Sequence, residues 1–283
     1  RPSQLMGDLL DSAVMEELIP INKFNQIKFP KGTFAPPKVK EDSLECFSES
    51  EQIAVCKEAY QDFLKTGNVA PLGIILCFYT GCRSGELVAL KSTDVKGNKL
   101  EIRRQEIRKS ELNPETLEME NLHYVVVEHT KAYNNRDITL INSAKEIIAL
   151  IQEANLKNGN KDEDFLFVDE KGRIHERAFD SRLRKYCRHL NIPVRSLNKE
   201  RKTFISTLAN SPFTSIKDAQ REAGHKYLST TMNHYYKDTR HDEEKLSNME
   251  KALSHLSAWF ISQKWYQLVS NQKRPKGLFC CFY

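Results

Sequence analysis

The sequence predicts a mostly helical α+β fold, and three observations predict it. Apolar residues recur at helical spacing through most of the chain, a nine-residue run from Pro71 to Tyr79 is apolar throughout, and three β-branched segments sit together in the middle. The composition agrees: of 283 residues 40% are hydrophobic and 29% charged, enough to bury a core and too rich in apolar residues for a disordered chain. The net charge of +5 is mildly basic, which permits a nucleic-acid partner without requiring one.

Taken in order, residues 1 to about 20 carry a short amphipathic pattern, with Leu5, Met6, Leu9, Leu10, Val14, Met15 and Leu18 on one face. It is too short for a domain and reads as the tail of one. The prolines and lysines from Phe29-Pro30-Lys31-Gly32 to Pro36-Pro37-Lys38-Val39-Lys40 suit an extended basic linker, so a boundary is expected near residue 40. Ser48 followed three residues later by Glu51 is a capping-box start for a helix running to about Thr66. The apolar run should form a buried helix ending near Gly81. Lys99 to Arg108, Leu122 to His129 and Arg136 to Ile141 suggest one small antiparallel sheet. Helices are then expected over Ser143–Leu156, Glu176–Leu190, Lys199–Ala209, Ser215–Ala223, Ser229–Tyr236 and from Asp242 to about Leu268. The stretch from Asn271 to Tyr283 has no periodicity. Because the chain opens Arg1-Pro2-Ser3, without an initiator Met or signal-peptide layout, it is expected to begin inside a longer parent.

Several classes of function fall away. The seven cysteines are scattered, with no C-x-x-C pair and no His/Cys cluster at zinc spacing, which suits a reducing compartment and gives no metal site. No run approaches the roughly 20 apolar residues that span a bilayer, so no membrane role is expected.

Four motifs carry chemistry. In Thr80-Gly81-Cys82-Arg83-Ser84-Gly85-Glu86-Leu87 a helix breaks at glycine and presents Arg83, a planar guanidinium able to clamp phosphate oxygens, with Glu86 spaced to orient it. The same two residues could equally form a helix-surface ion pair of little worth. His129-Thr130-Lys131-Ala132-Tyr133-Asn134-Asn135-Arg136 is a polar turn between two expected strands, with Lys131 near a hairpin tip, either simply solvated or able to reach a DNA groove. The third motif, Leu197-Asn198-Lys199-Glu200-Arg201-Lys202-Thr203-Phe204, sets a second arginine on a helix. The fourth runs from Ala223-Gly224-His225 through Ser229-Thr230-Thr231 to Tyr235 and Tyr236.

In this order the four motifs resemble the tyrosine recombinase (phage-integrase) family, specifically integrases of bacterial mobile elements such as conjugative transposons, over about residues 20 to 245. The resemblance implies a catalytic domain over 41–245, preceded in 1–40 by the remnant of a helical core-binding domain plus linker. It implies that Arg83 and Arg201 bind the scissile phosphate, that Lys131 is the general acid, and that His225 hydrogen-bonds the phosphate or assists proton transfer. The nucleophile would be a tyrosine that forms a 3′-phosphotyrosine link with double-stranded DNA at specific recombination sites, without cofactor, metal or ATP, in a dimer or tetramer in the bacterial cytoplasm. Two departures stand out. Asn198 occupies the position three before the second arginine where the family usually has histidine, and asparagine cannot relay a proton. The family usually places its tyrosine nine positions after the Gly-His pair, which is His234 here; Tyr235 is favoured over Tyr236, which keeps the one-residue offset smallest.

Arg103, Arg104, Arg108, Lys109, Arg182, Arg184, Lys185, Arg188 and Lys202 are the candidate phosphate contacts along the duplex, although each alone could be an ordinary solvated residue. In 246–283, Met249, Leu253, Leu256 and Phe260 form a helical stripe that could dock on a neighbouring protomer or fold back on its own domain.

Overall fold

The structure is a computed structural model that describes residues 2–28, 30, 42–131, 133, 135–159, 164–237 and 242–254. The chain divides into two compact units, Arg1–Lys40 and Glu41–Tyr283. In the first, helix α1 (Pro2–Met15) leaves Leu5, Leu9 and Met15 exposed among the described residues.

The second unit is built around a buried helix. After α2 (Asp42–Glu45), α3 (Glu49–Thr66) starts at the expected capping box: the Ser48 hydroxyl accepts from the Glu51 amide, and the Ser48 amide donates to the Glu51 carboxylate at 2.8 Å. The apolar run becomes α4 (Ala70–Thr80), buried on nearly every side because it has no polar face to turn to water. It packs against α3, α6 (Asn142–Asn158), α7 (Glu176–His189) and α8 (Leu197–Asn210), so the core lies between helices. Each fully buried Leu or Ile there contributes about 1.5–3 kcal/mol by leaving water. A short helix, α5 (Ser84–Leu87), follows α4.

The expected single sheet is two separate ones. β1 (Val95–Lys96), β2 (Lys99–Ile102) and β5 (Arg136–Thr139) form an antiparallel sheet in that order, with Leu100 opposite Ile138 and Ile102 opposite Arg136. Among the described residues β3 (Gln105–Leu112) and β4 (Met119–Val127) pair only with each other, as a ribbon with an irregularity between Lys109 and Glu111. The segment expected as one strand over Lys99–Arg108 breaks at Arg103 and Arg104, whose side chains turn aside to bind Asp137 and Asp94. A two-stranded pair, β6 (Val168–Asp169) and β7 (Gly172–Arg173), completes the strands. Helices α9 (Ile216–Ala223) and α10 (Leu228–Thr230) follow α8; α10 runs into a wide helical turn, Thr231–Tyr235. The last helix, α11, is described over Asp242–Ala252; its expected extension, with Leu256 and Phe260, lies outside the described residues.

Candidate functional site

Arg83 stands where α4 gives way to α5. Gly81 ends α4 in the left-handed region (φ 57°), and a Cβ there would run into the Phe204 ring on α8, so the turn needs glycine both for its φ and for the close approach of α8. The Arg83 amide donates to Glu86 Oε2 (2.9 Å) and its guanidinium to Oε1 (2.7 Å). Glu86 is buried and also takes a two-pronged grip from Arg136, Nη1 to Oε1 (2.8 Å) and Nη2 to Oε2 (2.6 Å). Burial pushes the Glu86 carboxyl up. Hydrogen bonds and charge from Arg136, then the charges of Arg83 and Arg201, outweigh that and hold it at about 2.

Arg201 comes from the buried side of α8. Its Nη1 donates to the Gly81 carbonyl and its Nη2 to the Ala223 carbonyl, both at 2.6 Å, so one side chain ties the end of α4 to the end of α9. Burial, with the charges of Arg83 and Arg136, lowers it to about 10, against a smaller pull from Glu86 and Tyr235; it stays cationic at neutral pH. Nη2 also lies 3.3 Å from His225 Nε2. A guanidinium can only donate, so Nε2 is the accepting nitrogen. The ring proton then sits on Nδ1, 2.9 Å from the Thr231 hydroxyl, which accepts it.

Gly224 (φ 66°) turns the chain between α9 and His225, with the Arg136 side chain packed where its Cβ would be. Tyr235 packs on His225 (ring centroids 4.4 Å apart) and faces Arg201, whose guanidinium carbon lies 5.4 Å from the Tyr235 ring. The turn carrying it closes with the Tyr236 amide donating to the Thr231 carbonyl at 2.7 Å, a five-residue reach that holds one residue more than an α turn. The Ser206 hydroxyl donates to the Tyr235 carbonyl at 2.9 Å and anchors the turn on α8.

Of the residues singled out in the sequence, Arg83, Glu86, Arg201, His225 and Tyr235 come together. Asn198 is exposed one turn before Arg201 on α8, and Tyr236 lies just beyond the wide turn. Lys131 is exposed, but not at a hairpin tip: β4 and β5 belong to different sheets, so it rides on the connection between them. The residue missed in the sequence is Arg136. Its signal was the alternation Arg136, Ile138, Leu140, which sets an arginine on the same inward face as two core residues.

The basic candidates divide by what they touch. Arg104 grips Asp94, Arg103 binds Asp137, Arg184 binds Asp180, Arg182 lies 3.9 Å from Asp62, and Lys202 shares Glu45 with Lys199. Arg108, Lys109, Lys185 and Arg188 are exposed and make no ion pair among the described residues. Among the described residues no group of His, Cys, Asp and Glu could hold a metal ion, and no helix is long and apolar enough to cross a membrane.

A model of the "Phage integrase family" matches residues 56–241. A protein named "Tyrosine recombinase XerC-like" from Caldanaerobacter subterraneus subsp. tengcongensis is 29% identical over 214 residues, covering 71% of this chain and 52% of that one, so the chain spans about half the length of this curated relative. Among solved structures, the Tn1549 transposon integrase in complex with transposon right end DNA superposes with a TM-score of 0.63 at 16% identity, covering 89% of this chain and 78% of that one. The XerA recombinase gives 0.53 at 18% identity, covering 81% and 70%. A lambda integrase dimer bound to a core site gives 0.52 at 15% identity, covering 83% and 58%. At these identities the likeness is one of fold.

Proposed function

From the premise that this chain belongs to the phage integrase family, as the match over residues 56–241 establishes, we propose that it is a site-specific DNA recombinase acting through a 3′-phosphotyrosine intermediate. The observation that carries the reading is that two guanidiniums, of Arg83 bonded to the buried Glu86 and of Arg201 acting on it by charge, lie in one site with His225 and Tyr235, which pack on Arg201 and on each other.

In the proposed reaction Arg83 and Arg201 face the nonbridging oxygens of the scissile phosphate and neutralise the charge that grows there, the largest contribution to lowering the barrier. The Arg201 Nε–H, buried and without a partner among the described residues, is one donor left for such an oxygen. Tyr235 Oη attacks phosphorus, the bond from phosphorus to the 5′ oxygen breaks, and Lys131 gives that oxygen a proton. The phenolic proton passes to His225 Nε2, whose lone pair accepts from Arg201 until that guanidinium turns its donor to the phosphate. Asn198 adds a hydrogen bond to phosphate but no proton transfer. The phosphotyrosine link keeps the energy of the broken bond, so a 5′ hydroxyl from another strand can reverse the step and rejoin DNA.

Tyr235 rather than Tyr236 is the proposed nucleophile because its ring lies on His225 and Arg201, and because the wide turn absorbs the extra residue relative to the usual spacing of nine. The role proposed is integration and excision of a mobile element; resolution of chromosome dimers or DNA inversion would use the same groups on different target sites. Self-association on DNA is supported by exposed Leu246 and Met249 on α11 with Leu253 just after it, and by an apolar groove of about 490 Å³ lined by Phe78, Phe204 and Leu208.

The test is incubation with a nicked suicide duplex carrying the element's end. A covalent protein–DNA adduct is expected, lost in Tyr235→Phe and kept in Tyr236→Phe. A DNA-binding relative without catalysis would shift the duplex in a gel and form no adduct.

A further inference from the structure

We propose that Arg136 is a positioning residue for strand cleavage, holding Glu86 so that Arg83 is aimed at the phosphate without having its charge quenched. This rests on the recombinase reading above, and it goes beyond that reading by giving a task to a residue that does not itself touch the phosphate.

The Glu86 carboxylate accepts four hydrogen bonds: two from Arg136 Nη1 and Nη2, one from the Arg83 guanidinium and one from the Arg83 amide. Four is the full capacity of two carboxylate oxygens. Among the described residues Arg83 is therefore held by a single side-chain contact, and its remaining donors are free. Were Arg136 absent, two lone-pair positions would open on a buried anion, and the nearest cation able to fill them is Arg83 itself. The guanidinium would then close onto Glu86 in the two-pronged fork that arginine and carboxylate favour, turned away from any ligand.

Charge points the same way. Three guanidiniums, of Arg83, Arg136 and Arg201, surround the one carboxylate, leaving a surplus of two positive charges for a phosphate. Loss of Arg136 cuts that surplus to one.

Arg136 also sits where the separate segments of the site meet. It is the first residue of β5, at the end of the connection that carries Lys131. Its Nε donates to the Glu222 carbonyl (3.2 Å), two residues before Gly224, and its side chain fills the space under that glycine. The Glu222 carboxylate returns the tie, accepting from the Thr139 amide and hydroxyl, both at 2.9 Å. The strand, the end of α9 and the His225 turn are therefore tied together, with Arg136 as the link from them through Glu86 to Arg83.

The test uses the full chain, the nicked suicide duplex and single-turnover adduct formation, with DNA affinity measured in parallel. The wild-type chain must first form adduct; if it forms none, the recombinase reading fails and Arg136 is not at issue. Given a wild-type adduct, Arg136→Met is expected to slow its formation by about a hundredfold while DNA affinity changes by less than about threefold. Adding Glu86→Gln to Arg136→Met removes the anion that captures Arg83, restores the surplus of two charges, and should recover about tenfold in rate. A purely structural arginine predicts instead that DNA affinity falls with the rate, and that Glu86→Gln, by removing an unpaired buried charge, restores both together. That result, or a double variant no faster than Arg136→Met, overturns the proposal. Should Arg136→Met not fold, Arg136→Lys keeps the charge but cannot hold both oxygens. It is expected to fold, bind DNA and cleave at least about tenfold more slowly, and wild-type cleavage by it would equally overturn the proposal.

Discussion

Replacing Glu200 by methionine should stabilise the protein, and by more as the pH rises. Glu200 follows Lys199 on α8 but turns inward: it is fully buried, neither carboxyl oxygen has a hydrogen-bond partner among the described residues, and the Cys77 thiol beside it directs its proton to the Cys82 carbonyl. Burial pushes the Glu200 carboxyl well above its ordinary 4.5, with Cys77 opposing and Asp180 adding, so the folded state keeps it protonated while the unfolded chain ionises. The sign follows from the raised value. This group favours folding least where the unfolded chain has lost the proton, so its cost is absent below pH 4.5 and grows as the pH climbs from 4.5 toward the folded-state pKa. The growth is about 1.4 kcal/mol per pH unit over that window. A neutral buried carboxyl left without hydrogen bonds costs a further 1–3 kcal/mol or so at any pH. Methionine has nearly the same length and volume and no polar atom to strand. Urea denaturation at pH 5 and pH 7.5 is therefore expected to show Glu200→Met more stable at both, by about 1–3 kcal/mol at the lower pH and by clearly more at the higher. A variant less stable than wild type at pH 7.5, or an advantage that does not widen with pH, would refute the reasoning.

The opposite dependence is expected at Glu86. With its folded value held at about 2, its contribution is present above pH 4.5 and disappears as the pH falls from 4.5 to 2, on the order of 3 kcal/mol; acid denaturation followed by circular dichroism should show Glu86→Gln without that loss, though less stable at neutral pH because Arg136 is left buried and unpaired. At the surface, Arg108→Gln and Lys109→Gln should each lower the slope of log affinity for duplex DNA against log salt by about one, whereas Arg104→Gln, which abandons Asp94, should act on the melting temperature instead.

The helices were legible because burial imposes a period that sequence carries directly. The all-apolar run could only be an inner helix, and Ser48 with Glu51 announced the start of the helix before it. Strand partnership was less legible. Alternation says which face a residue takes, not which strand lies beside it, so the β3–β4 ribbon and the placing of β5 beside β2 were merged into one expected sheet and Lys131 was set on a hairpin that does not exist. The arginines at the site divided in the same way. Arg83 and Arg201 sit in recognisable local motifs, whereas the partner of Arg136 is 50 residues away in the chain and appears only when β5 docks beside α5. For the basic candidates the sequence shows charge but not whether a carboxylate has already claimed it, as Glu45 has claimed Lys202.

The spacing of the tyrosine can be tested through the turn that sets it. Tyr235 comes ten residues after His225, one more than the family's usual spacing, and the turn Thr231–Tyr235 closes from the Thr231 carbonyl to the Tyr236 amide, one residue wider than an α turn. If the extra residue is absorbed locally, deleting the exposed Asn233 should convert the wide turn to an α turn and leave the residues before Thr231 undisturbed. The Tyr235 ring, now at the usual spacing, would stay on His225 and under Arg201, so the deletion variant should still form adduct through the same tyrosine, within about tenfold of wild type. Peptide mapping of the adduct identifies the linked residue. A folded deletion variant that forms no adduct, or one linked through Tyr236, would mean that the wide turn is itself required to present the phenol, and that the offset is a feature of the site and not a tolerated insertion.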